Sequence, residues 1–201
     1  MKKSLALAAA LLALGAALDY RAVAADIVCE GHQLLPTPRP ASSCKDVKPL
    51  TFPSPDGLLT AVVLPVDPSL NTTPDMESLV EVRASYGHTL ASKDYASPRG
   101  ANGYYVVQAK WTRDSQFFVY TLSSSGGHSP WSFPMAVYSR DRNAVIQFSD
   151  MIDGNPTLSE SFGLKDDHTV IATTWQDGNF EKPMSVTVNL KNALAKLPAD
   201  K

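Results

Sequence analysis

Apolar and polar positions alternate along this chain in short runs. From Leu79 to Tyr86, the residues Val80, Val82, Ala84 and Tyr86 fall on one side, with Glu81, Arg83 and Ser85 on the other. Tyr104 to Trp111 places Tyr105, Val107, Ala109 and Trp111 together, and Ser185 to Leu190 aligns Val186, Val188 and Leu190. Successive strand side chains point to opposite faces, so a period of two predicts strands with one buried face. Gln116 to Leu122 (Gln-Phe-Phe-Val-Tyr-Thr-Leu) is apolar at both parities, which predicts a central strand covered on both sides. Leu58 to Leu64, Phe133 to Ser139, Ala144 to Phe148 and Thr169 to Trp175 bring the total to about eight strands. Helical spacing occurs only near the end, from Leu190 to Leu197, and predicts one short C-terminal helix. The expected fold is therefore mainly β: an antiparallel sandwich or small barrel.

The runs are separated by turn chemistry: Pro55-Asp56-Gly57, Asn102-Gly103, Arg140 to Asn143, Asp153-Gly154-Asn155-Pro156 and Gln176 to Asn179. Asx residues and glycine tolerate the left-handed backbone that tight turns use. Three of the strands follow an aspartate turn: Ser54-Pro55-Asp56-Gly57, Thr112-Arg113-Asp114-Ser115 and Leu164-Lys165-Asp166-Asp167. The aspartates are 58 and 52 residues apart. This weak repeat resembles the blade repeat of bacterial periplasmic β-propellers, which implies propeller-like hairpins. Three units fall short of the four to eight blades of a closed propeller, so a sandwich or barrel is preferred.

Two segments precede the β region. Lys2 and Lys3 lead into an apolar run from Leu5 to Leu18, followed by Ala22-Val23-Ala24-Ala25. This is the pattern of a secretory signal peptide over residues 1–25, and the run is too short for a membrane span. Its removal leaves 15 basic against 19 acidic side chains and takes the net charge from −2 to −4. For a mildly acidic chain without a basic block, a nucleic-acid partner is not expected. No other apolar run is long enough for a membrane helix, so no membrane span is expected after cleavage. Residues 26–56 hold Pro36, Pro38, Pro40, Pro49, Pro53 and Pro55. Proline fixes φ and lacks a donor, so this arm is extended and cannot supply a helix or a central strand. Cys29 and Cys44 are the only cysteines, and in an exported chain they are expected to form a disulfide. Closing that loop would contribute about 3 kcal/mol on the chain-entropy account. The expected organisation is a signal peptide (1–25), a stapled arm (26–56) and one β domain (57–201), in a periplasmic or secreted protein.

Three connections exceed the usual hairpin length: 65–78, 87–103 and 123–132. The last carries the most chemistry. Ser124, Ser125, Gly126, Gly127, His128, Trp131 and Phe133 combine a free backbone, small hydroxyls, an imidazole and two aromatics. Adaptable polar groups around an aromatic anchor suit ligand recognition, although aromatics such as Trp131 and Phe133 more often cover a sheet end as core residues than stand as exposed anchors. Ser124 to Pro134 reads Ser-Ser-Gly-Gly-His-Ser-Pro-Trp-Ser-Phe-Pro and resembles an uncharacterised family of exported bacterial proteins with that core. The resemblance spans about residues 111–140 and implies no particular activity. A fainter likeness, carried by Ser125-Gly126-Gly127 after an apolar strand, is to periplasmic lysozyme inhibitors. It implies insertion of a Ser-Gly loop into the cleft of a cell-wall hydrolase.

Catalysis is not expected. There is no Gly-x-Ser-x-Gly elbow, and Ser125 and His128, three positions apart on a loop, do not form a triad geometry. His32, His88, His128 and His168 lack metal-ligand spacing, and Asp150 to Asn155 lacks that of a calcium loop, so neither a metal nor another cofactor is expected. Asp166-Asp167 reads as a solvated turn, and Asn71-Thr72-Thr73 fits a glycosylation acceptor with nothing else to support it. The sequence favours a non-enzymatic domain that recognises a protein or envelope ligand through loop 123–132. The alternative is a periplasmic inhibitor of a cell-wall hydrolase.

Overall fold

The computed structural model describes residues 49–65, 77–97, 103–126, 132–154, 156–175 and 181–198. The signal peptide, most of the proline-rich arm with Cys29 and Cys44, and the loop residues Gly127, His128 and Trp131 lie outside the described residues.

The described residues form eleven strands in three antiparallel meanders. Sheet A holds β1 (Leu50–Pro53), β2 (Leu59–Pro65), β3 (Ser78–Ala84) and β4 (Thr89–Asp94). Sheet B holds β5 (Tyr104–Trp111), β6 (Phe117–Ser124), β7 (Met135–Ser139) and β8 (Ala144–Gln147). Sheet C holds β9 (Thr157–Leu164), β10 (Thr169–Trp175) and β11 (Pro183–Asn189). In each sheet every strand pairs with its sequence neighbour. None of these sheets closes into a barrel, and the strand count exceeds the expected eight.

The extra strands are those whose sequences hide them. β1 belongs by composition to the proline-rich arm, and it sits at a sheet edge, where a proline costs no ladder bond. β4 (Thr-Leu-Ala-Ser-Lys-Asp) and β9 (Thr-Leu-Ser-Glu-Ser-Phe-Gly-Leu) are polar edge strands without clean alternation.

Sheet B is the middle layer, because β6 and β7 are apolar on both faces. Phe118, Tyr120, Leu122, Ala136 and Tyr138 pack on Leu59, Ala61, Val63, Val80 and Val82 of sheet A. Phe117, Val119, Met135, Val137 and Ile146 pack on Phe162, Val170, Ala172 and Val188 of sheet C. The expectation of a doubly covered strand at 116–122 holds. The stack is a sandwich of three layers rather than two.

Two local expectations need correction. Tyr86 continues the alternation on paper but lies in the β3–β4 turn and is 73% exposed. In β5 the pairing with β6 shifts register between Val106 and Gln108. This bulge inverts the phase. Val106, Ala109 and Trp111 consequently face sheet A, while Gln108 turns to sheet C. There its amide donates to the Phe162 carbonyl at 3.0 Å and accepts from the Phe162 N–H at 3.2 Å.

The aspartate repeat coincides with the sheets, since each such turn joins the first two strands of a meander. Leu58, Gln116 and His168 each donate a backbone N–H to the aspartate two residues earlier, at 3.1, 3.2 and 2.9 Å. Ser54 and Thr112 reinforce the first two turns by donating to Asp56 and Asp114 at 2.6 and 2.7 Å. Leu164 holds the same place before Asp166 and cannot do so. The first two turns are tied together, with the Asp56 N–H donating to Ser115 Oγ at 3.0 Å. His168 Nδ1 lies 3.1 Å from Asp114 Oδ2 without hydrogen-bonding it. The Ser54 hydroxyl, then Arg140 at 2.6 Å, hold the Asp56 carboxyl well below the usual carboxylate range.

The helix α1 (Leu190–Leu194) is capped by Asn189, whose side chain accepts from the Asn192 N–H at 3.0 Å. It is shorter than helices that persist alone. Burial of Leu190 and Leu194 holds it, and Arg142 donates to the carbonyl of Leu194 at its end and to those of Leu197 and Pro198 beyond it. Among the described residues, no helix is long and apolar enough to cross a membrane.

A candidate ligand-binding cleft

Antiparallel meanders place their connections at two ends. Here one end carries the three aspartate turns, and at the other lie the described chain ends that border residues 66–76, 98–102 and 127–131. At the second end lies Glu77, immediately before β3 and only 3% exposed. A carboxylate out of water needs donors on both oxygens. Glu77 Oε1 accepts from the Gly103 N–H at 2.7 Å, the Ser125 hydroxyl at 2.8 Å and the Ser97 hydroxyl at 3.1 Å. Its Oε2 accepts from the Ser97 N–H at 2.7 Å. The donors flank the other two connections, since Ser97 and Gly103 bracket 98–102 and Ser125 opens the loop after β6. One side chain therefore fixes where three loops leave the stack.

Gly103 is required by proximity rather than by its φ. A Cβ there would collide with the Glu77 carboxyl carbon and the Tyr95 carbonyl. Gly103→Ala is expected to destabilise by about 1–3 kcal/mol, the range for overpacking a filled site. Urea unfolding of the variant beside Gly163→Ala, whose Cβ would meet nothing and whose φ is not in the left-handed region, separates this collision from the general cost of losing a glycine.

Beside this hub is an open cleft of about 520 Å³. Its floor includes the buried residues Tyr95, Leu122 and Gly103. Its walls include Lys93, Asp94, Ser97, Tyr104, Pro134 and Gln147. Asp94 accepts from the Ala96 N–H at 2.8 Å, shaping the chain as it leaves β4. Tyr104 starts β5, with its N–H donating to the Tyr95 carbonyl at 2.9 Å.

The Tyr95 hydroxyl lies 2.8 Å from that of Tyr120. Burial pushes the Tyr95 hydroxyl pKa from 10.0 up to about 12, opposed by the hydrogen bonds with Tyr120 and Gln147. Burial pushes Tyr120 well above its ordinary value too. A raised folded-state pKa means the fold prefers the neutral phenol. That stability is fully present below pH 10 and is lost as pH rises through about 12. Tyrosinate absorbance followed together with circular dichroism should show Tyr95 ionising late, with stability falling across that window. In Tyr95→Phe the fall should be smaller.

Of the seven residues singled out from the sequence, four are described. Ser124 pairs with Tyr104. Ser125 binds the Glu77 carboxylate, and its N–H donates to the Gly103 carbonyl at 2.9 Å, so it anchors the loop. Gly126 is exposed in the turn that follows. Phe133 is half-buried, with its N–H donating to the Leu158 carbonyl of sheet C at 3.1 Å. Leu122 and Pro134, flanking the loop, both line the cleft. Glu77, Lys93, Tyr104 and Gln147 carried no sequence signal: each is a single polar or aromatic residue at a strand end, without spacing that marks it. Gly103 was visible only as the glycine of an Asn-Gly turn. Among the described residues, no group of three or more His, Cys, Asp or Glu side chains is placed to hold a metal ion.

Compared with known protein families and with curated proteins, the chain matches none.

Proposed function

We propose that this chain is an exported, non-enzymatic domain that binds an envelope or protein ligand at the long-loop end of its sheet stack. Export rests on the amino-terminal pattern of residues 1–25 and on the two cysteines of the arm. The observation that carries the binding role is the Glu77 hub beside the cleft. Anchoring three loops on one buried carboxylate holds a recognition surface on rigid strand ends, which lowers the ordering cost of binding. The buried phenol of the cleft, Tyr95, is kept neutral and engaged with Tyr120. That arrangement favours a wall over a reactive group.

The test is capture of envelope material on the immobilised mature protein. Shortening loop 123–132 is expected to abolish capture, while Leu58→Asp, an exposed change in an aspartate turn at the opposite end, should leave it intact. A folded loop-shortened variant that captures the same material would remove the assignment.

A further inference from the structure

The lining of the cleft narrows its ligand, on the premise that the long-loop end is a binding surface. Lys93 and Asp94 are adjacent and of opposite sign, and they are the charged side chains of the wall beside the neutral Ser97, Tyr104 and Gln147. Such a wall does not select an anion, which needs converging cations or amides. It mixes donors and acceptors along an open surface. Tyr104 is 37% exposed. Its backbone is fixed by pairing with Ser124 and by its bond to Tyr95, so the ring stands on a strand end rather than on a mobile loop. Beneath lie Tyr95 and Leu122, an apolar floor.

An exposed ring on a rigid backbone, a neutral mixed polar wall and an apolar floor complement one chemistry: rings with hydroxyl rims and C–H faces. A peptide adding as a strand is the competing occupant. The outer side of β4 is poorly suited to it, because β4 is short, carries Lys93, lies near β8 with its Leu90 carbonyl accepting from Asn143 at 3.2 Å, and departs from regular register with β3 between Val82 and Arg83. Charge and irregularity on an edge discourage strand addition. We infer that the cleft between Tyr104, Lys93 and Gln147 is a subsite for an uncharged oligosaccharide chain.

The experiment is amide NMR of the mature protein titrated with neutral tetrasaccharides built from N-acetylglucosamine, glucose or mannose. At least one should give saturable shifts confined to Lys93 to Ser97, Gly103, Tyr104 and Gln147. Tyr104→Ala should weaken that binding about tenfold or more, with an otherwise unchanged spectrum, and Tyr104→Phe should retain it. Absence of shifts in the cleft with every sugar overturns the assignment, as does equal affinity in Tyr104→Ala. Shifts along the β4 amides with an extended neutral peptide instead would replace the sugar with a strand. If the sugars fail while envelope capture still depends on loop 123–132, only the saccharide assignment falls. If capture is independent of the loop, the binding surface itself is wrong.

Discussion

Phe118→Ala is expected to lower unfolding stability by about 3–5 kcal/mol, the range for deleting a buried aromatic ring. Phe118 is fully buried in the layer between sheets A and B. Its ring lies 5.6 Å from that of Phe52, 5.2 Å from Trp111 and 5.5 Å from Tyr120. These rings join β1 to β5 and β6, and Trp111 fixes the junction by donating its indole N–H to the Phe52 carbonyl at 2.7 Å. A cavity there cannot collapse easily, because β6 is held by partners on both sides and by a packed face behind it. Chemical denaturation measures the loss, with Phe118→Leu as a milder companion. A loss within about 0.5 kcal/mol, the level of surface changes, would mean that sheets A and B do not pack through this residue.

Glu77→Ala is expected to cost about 2–4 kcal/mol and to loosen the long-loop end. A buried donor left without its partner costs roughly 1–3 kcal/mol, and among the described residues the Gly103 N–H donates to Glu77 alone. The Ser97 and Ser125 groups are only part-buried, so water can replace the carboxylate there at less cost. Glu77→Gln should fall between the two, since it keeps one acceptor but turns an amide N–H₂ toward a donor. Hydrogen exchange provides the second readout. Protection should fall at Ser97, Gly103 and Ser125 first, while Val119 and Val137 in the middle sheet keep theirs. Uniform loss of protection would show that Glu77 supports the whole stack rather than its end.

The two changes probe different levels of what the sequence carries. Phe118 belongs to a run whose apolar residues at both parities allow only a doubly covered strand, and sheet B behaves so. The strands at Tyr104–Trp111 and Thr169–Trp175 begin and end where alternation and turn residues place them. The aspartate turns were legible as a repeat because each uses the same local chemistry, a carboxylate accepting the N–H two residues on. Three edge strands, β1, β4 and β9, were not legible. β4 and β9 bury little, so nothing in their composition forces a period of two. The bulge in β5 was invisible for a related reason: adding one residue to a strand preserves its composition and changes only which face each side chain meets.

The site divides similarly. Ser124, Ser125 and Gly126 stood out by composition, and Ser125 proves to matter as an anchor, through a partner 48 residues away. Glu77 itself is one acidic residue among many until the fold removes water from it and brings Ser97, Gly103 and Ser125 within hydrogen-bond reach. The sequence by itself determined the mainly β class, the central strand and the repeated turns, because these follow from side-chain parity and from contacts two residues apart. Tertiary structure alone decided that three sheets stack with B in the middle, and that the ends of three loops converge beside one cleft. Those are facts of long-range packing, in which a residue's role depends on which distant groups share its desolvated space.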